Sequence, residues 1–277
     1  MGESGILWLR VAAGLYSFGL LDAIITVIRR REALFRVALT AFALGAVFQL
    51  VAIVEMGMAQ GRLPVNDIFE TMSFLGWIVT VVFLAIHYRY NAASLSVFIF
   101  PLVFVMTLVG ALRNPVSPWS NSVVRSTALA VHVVASLLGY AALLFTASAS
   151  VVYLMQERQL KRKNKPAPNR PSLFRVLPPL GVLDDLISKS LGIGFLFITV
   201  GLVLGIIWAF VETGTKWIGN GSVLIAFVTW AVYLALVFFR VSAGWRGRKT
   251  AILSIIALTC CLVTWIAHAQ LQRRLLP

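Results

Sequence analysis

Residues 129–165 read LAVHVVASLLGYAALLFTASASVVYLMQERQLKRKNK. The 28 residues 129–156 pass before the first full charge, and a dense basic run follows at once. About 20 apolar residues suffice to cross the hydrocarbon of a bilayer, so this stretch reads as a membrane-spanning helix that ends among lipid headgroups or in water. A strand reading fails because apolar and polar residues do not alternate with period two.

The same pattern recurs along the chain. Apolar runs fall at roughly 5–28, 34–57, 70–88, 93–112, 126–155, 190–212, 221–240 and 249–270, each near the length a spanning helix needs. The backbone polar groups of such runs must pair internally, which predicts eight helices and no sheet. Composition agrees: 60% of the 277 residues are hydrophobic and 12% charged, where a water-soluble domain carries about a quarter charged residues. We therefore expect an all-α polytopic membrane protein, with residues 1–277 forming one transmembrane helical domain. The first run carries Arg10 and lacks a small-residue cleavage site behind it, so it reads as a retained helix.

The net charge of +14 does not point to nucleic acid, because the cations lie between apolar runs and not on one domain face. Segments 29–36, 87–90, 157–189 and 240–249 hold 17 of the 24 Lys and Arg residues. By the positive-inside rule these segments are cytoplasmic and both termini lie outside. The longest of them contains QERQLKRKNKPAPNRPSLFRVLPP (156–179), a basic, proline-rich connector suited to anionic headgroups or to a cytoplasmic partner.

Cys260 and Cys261 are adjacent and belong to no CxxC or CxxCH motif, so they read as small apolar side chains within a span. Polar and ionisable residues at membrane depth are the functional candidates, and here they are Glu55, Asp67, Glu70, His132, Tyr140 and Glu212. His132 lies about 9 Å into its helix at 1.5 Å per residue, and the acidic candidates cluster toward the same, external side. A buried histidine ordinarily bonds a neighbouring helix. As a metal ligand His132 suits haem better than zinc: zinc needs at least three protein ligands, whereas haem needs one or two axial ones. Trp208, Trp217 and Trp230 supply aromatic surface around helices six and seven. Gly201 and Gly205 form a GxxxG motif that lets a neighbouring helix approach closely. No nucleophile–base pair or metal-ligand cluster marks an enzyme. A small-molecule transporter is disfavoured by the lack of charge at span centres.

LPVNDIFETMSFLGW (63–77), VHVVASLLGYAALLFTASASVVYLMQERQLK (131–161), DDLISKSLGIGFLFITVGLVLGIIWA (184–209) and GWRGRKTAILSII (244–256) together resemble the cytochrome c assembly family of CcsA and CcmC. The resemblance implies a helical membrane protein that handles haem b, presenting it at the outer face for transfer to apocytochrome c. It makes His132 an axial ligand to the haem iron, and Trp208 and Trp217 haem-binding residues. It also implies a bacterial inner-membrane location and a second assembly subunit as partner. The family's WGxxWxWD loop is degenerate here: TGTKWIGN (213–220) keeps only Gly214 and Trp217, and a further family histidine falls at Phe238. A retained scaffold with a worn loop is similar to the HemX and YpjD branch, which implies an alternative: control of the level of glutamyl-tRNA reductase, a cytoplasmic enzyme of haem synthesis.

Overall fold

The computed structural model describes residues 2–29, 32–65, 68–112, 127–161, 178–213 and 221–275. The described residues form eight α-helices and no strand. They are α1 (Gly2–Arg29), α2 (Glu32–Gln60), α3 (Ile68–Tyr90), α4 (Ser96–Ala111), α5 (Thr127–Lys161), α6 (Leu180–Thr213), α7 (Gly221–Val241) and α8 (Arg248–Leu275). A 3-10 turn, Ala93–Leu95, leads into α4. Seven helices, α1 to α7, are long and apolar enough to cross a membrane; in α8 the described side chains run only to Val263. The expected all-α, multi-pass membrane architecture is what the chain forms.

One boundary differs from hydropathy. The apolar run begins near 190, yet α6 begins at Leu180. Residues 180–189, LGVLDDLISK, hold no helix breaker beyond one early glycine. Lys189 also pairs with Asp185 at 2.7 Å, one turn away, an i,i+4 arrangement that favours helix. Hydropathy locates hydrocarbon, and the helix continues past it.

The chain divides into two compact units, one holding α1–α4 and the other α5–α8. In the first, Phe42 stacks on Phe100 with centroids 3.6 Å apart and Tyr16 tilts against Phe42 at 4.8 Å. Beside these rings lies a polar hub. The Gln49 side chain on α2 accepts a 2.8 Å bond from the Tyr16 hydroxyl on α1. Its Nε2 donates to the Ser73 carbonyl on α3 at 2.9 Å and to the Thr107 hydroxyl on α4 at 3.2 Å. Gln49, Tyr16 and Thr107 are wholly buried. One amide thus ties four helices together, where van der Waals packing alone gives little directional preference.

In the second unit α5 and α6 run antiparallel with small residues at successive crossings. Contacts pair His132 with Gly205, Ser136 with Gly201, Gly139 with Ile198, Ala142 with Gly194 and Thr146 with Ser190. The core below is Leu143, Leu191, Ile198, Tyr233, Leu236, Ala257 and Cys261. The Tyr233 hydroxyl on α7 donates to the Gly139 carbonyl at 2.6 Å, satisfying its polar tip inside an apolar layer.

Candidate functional site

His132 is held by main chain. Its Nδ1 lies 2.6 Å from the carbonyl oxygen of Gly201. A carbonyl only accepts, so Nδ1 carries the proton and donates. In the neutral ring the lone pair is then on Nε2, the nitrogen that a metal would take, and the hydrogen bond behind it fixes both tautomer and ring orientation.

The seat for the ring is Gly205. A Cβ built on Gly205 would stand 2.5 Å from His132 Cε1, 2.7 Å from Nδ1 and 3.4 Å from Nε2. The Cε1–Nδ1 edge is therefore pressed onto the bare α6 backbone, and Nε2 is the ring nitrogen farther from that contact. Ser136 packs on Gly201 in the same way, its Oγ 2.6 Å from the Cβ that glycine lacks. Its hydroxyl donates back to the His132 carbonyl at 2.8 Å. The GxxxG expected to serve helix packing also builds the histidine's bracket.

Trp208 lies three residues past Gly205 and seven past Gly201 on α6, close to the same helical face at 100° per residue. Its indole Nε1 is buried with no hydrogen-bond partner among the described residues. An unmet buried donor costs about 1–3 kcal/mol, and an acceptor atom on a ligand would relieve it.

These features fit a haem. Among the described residues no group of three His, Cys, Asp or Glu side chains could hold a bare metal ion. A macrocycle brings four equatorial nitrogens of its own and asks the protein for one oriented imidazole and apolar surroundings. The tautomer-locked imidazole on its glycine cradle meets the first of these demands, and the unmet indole donor suits an acceptor on the macrocycle.

Tyr140 packs against the core of Leu143, Leu191 and Tyr233, a place set by aromatic packing. Glu70 belongs to the α1–α4 unit, in the first turn of α3, and is buried with 4% exposure. Its Oε2 pairs with Arg62 Nη1 at 3.1 Å and its Oε1 accepts from Gln60 Nε2 at 3.0 Å. The carboxylate therefore closes the α2–α3 connection, where the helix dipole also favours it. Glu55 accepts from Trp8 Nε1 at 3.2 Å. Glu212 lies in the last turn of α6 with its side chain outside the described residues, as are Asp67 and Trp217.

Gln49 escaped the sequence reading because it is uncharged, and only ionisable groups stand out in an apolar run. The Gly201 carbonyl escaped because no main-chain acceptor shows in a sequence. The antiparallel α5–α6 register would have pointed to it, since it sets 132 opposite 201 and 205.

Comparison with known proteins places this chain in a family. A CcsA cytochrome c biogenesis protein of Prochlorococcus marinus strain MIT 9312 is 30% identical over 224 residues, covering 74% of this chain and 72% of its own. The same protein in the strain CCMP1986 is 29% identical over 238 residues, covering 79% and 76%. A counterpart in Porphyra purpurea is 24% identical over 245 residues, covering 76% of each chain. The family model described as "Cytochrome C assembly protein" matches residues 65–270, a span that contains His132, its glycine bracket and Trp208. With a match over most of its length, the chain belongs to the cytochrome c assembly protein family.

Proposed function

We propose that this protein handles haem in cytochrome c assembly, binding it through His132 and presenting it at the outer face of a bacterial inner membrane. The observation that carries the reading is the Nδ1–Gly201 bond of 2.6 Å, which reserves Nε2 for a ligand. When bound, haem would supply an iron open to a protein nitrogen and a macrocycle that needs an apolar slot, with His132 the residue that would hold it. The chain's own residues do the rest. Gly201 holds the proton at Nδ1, Gly205 sets the depth of the ring against α6, and Trp208 offers an N–H to an acceptor on the ligand. The work is binding and release, with no bond made or broken by the protein.

With the basic connectors in the cytoplasm, the N-terminal end of α5 and the C-terminal end of α6 face outward, where an acceptor protein and a second assembly subunit would meet the ligand. Control of glutamyl-tRNA reductase is the weaker reading, because the relatives named above are cytochrome c biogenesis proteins.

Protein purified from haem-replete cells should show a b-type Soret band, substoichiometric because one strong axial ligand holds haem loosely. His132→Ala should remove most of its amplitude. His87→Phe should leave it, since His87 stands in an aromatic cluster with Phe35 and Phe83 in the other unit. No Soret band in the wild-type protein, even with haem added, would overturn the proposal.

A further inference from the structure

The turn between α7 and α8 is built more firmly than a connector requires. Asp184, near the start of α6, accepts two bonds from Arg240 at 2.8 and 2.7 Å and one from the Gly247 N–H at 3.1 Å. Gly244 and Gly247 take φ of +65° and +63°, conformations open to glycine at little cost. The Trp245 carbonyl accepts from the Thr250 hydroxyl at 2.8 Å, and its ring stacks on Phe239 with centroids 4.6 Å apart.

This locked turn presents three cations, Arg246, Arg248 and Lys249, of which Arg246 adds to the positive field that Arg240 sets up at Asp184. Around it the described residues supply three carboxylates, and each already has a cation: Asp184 with Arg240, Asp185 with Lys189 and Glu157 with Lys161. Arg246, Arg248 and Lys249 are exposed and make no ion pair among the described residues. Lys249 Nζ stands 5.5 Å from the centre of the Trp245 ring.

Directly before these charges the surface is apolar. Phe238 and Val241 are 56% and 75% exposed at the end of the spanning segment Val223–Val241. Within a few residues, then, the chain passes from exposed hydrocarbon, through a tryptophan of the kind found at membrane interfaces, to three exposed cations. That order matches a phospholipid read from acyl chain to phosphate. A free phosphate or an acidic peptide would use the cations but not the apolar step beside them. We propose that the α7–α8 turn is a selective site for an anionic phospholipid, with Arg246, Arg248 and Lys249 on the headgroup phosphate and Phe238 and Val241 along the chains.

The full-length protein, purified in detergent and offered mixed phosphatidylglycerol and phosphatidylcholine, should retain phosphatidylglycerol about tenfold in preference when bound lipid is counted by native mass spectrometry. A cation near a membrane surface contributes a factor of up to about five. These three share one headgroup, so their factors do not multiply in full, and R246Q/R248Q/K249Q should bring the preference near unity. K161Q, which removes a paired cation of this unit, and R89Q, an exposed cation at the end of α3, should each keep it within about twofold. Should the triple variant fail to purify, K249Q alone should lower the preference by about two- to fivefold. Undiminished preference in whichever of these variants purifies, or an equal loss in K161Q or R89Q, would overturn the assignment. So would displacement of the lipid by millimolar inorganic phosphate, which would make the turn a free-anion site, or by polyglutamate, which would make it a protein-docking surface.

Discussion

Gly205→Ala tests the histidine bracket with a single methyl group. The new Cβ would sit 2.5 Å from His132 Cε1 and 2.7 Å from Nδ1, against an unstrained separation of about 3.5–4 Å. The ring must retreat by about 1 Å. The Gly201 carbonyl belongs to the α6 backbone and cannot follow, so the 2.6 Å bond lengthens to about 3.6 Å, a distance at which no hydrogen bond remains. Losing that bond costs about 0.5–1.5 kcal/mol and overpacking about 1–3 kcal/mol. The better helix propensity of alanine returns about 0.5–1 kcal/mol. The expected net destabilisation is about 0.5–4 kcal/mol. Haem affinity should fall by about 10- to 100-fold, the usual effect of losing an outer hydrogen bond behind a metal-ligating histidine. Both are measured on the detergent-solubilised protein, by Soret titration and by thermal unfolding. Gly192→Ala is the control: on the same helix, nothing lies within 4 Å of its added Cβ, so it should bind haem normally and gain about 0.5–1 kcal/mol. Wild-type haem affinity in Gly205→Ala would refute the bracket, whatever its unfolding temperature.

Gln49→Leu keeps bulk but strands the Thr107 hydroxyl in apolar surroundings, at about 1–3 kcal/mol for a group left unmet, and reduces the Tyr16 hydroxyl to its bond with Thr80. Its unfolding midpoint should drop well below that of a Leu44→Ala control on the lipid-exposed face of α2, and equal midpoints would remove the hub's importance. Reporter fusions after residue 165 should read cytoplasmic and those after 118 external, as the 17 cations in the alternate connectors require; the reverse pattern would invert the side on which His132 is offered.

The helices were legible because hydrocarbon imposes a length and a composition that few other constraints imitate: seven of the eight expected spans reappear as helices apolar enough to cross. The start of α6 was not legible, because Asp185 and Lys189 lower hydropathy while supporting helix. Nor was the division into two units, since an apolar face reads alike whether it meets a helix or a lipid tail. At the site, His132 stood out as a lone ionisable ring, and Trp208 entered through family resemblance. What neither route carried was the relation between them and α6. Gly201 and Gly205 were visible as a packing motif, but their pairing with residue 132 is a matter of register between helices that begin more than fifty residues apart.

The acceptor behind His132 is a main-chain carbonyl, and that decides how the site can drift over generations. A histidine steadied by an aspartate or a serine loses its steadying group to one codon change. Here no substitution deletes the partner, because every residue at 201 carries the same oxygen. Inheritance can reach the proton at Nδ1 only indirectly, through the bulk of side chains that hold α5 and α6 at their present spacing. Variation should therefore be permissive in chemistry and strict in volume along this seam, so that a polar-to-apolar change at Ser136 is felt less than one added carbon at Gly205.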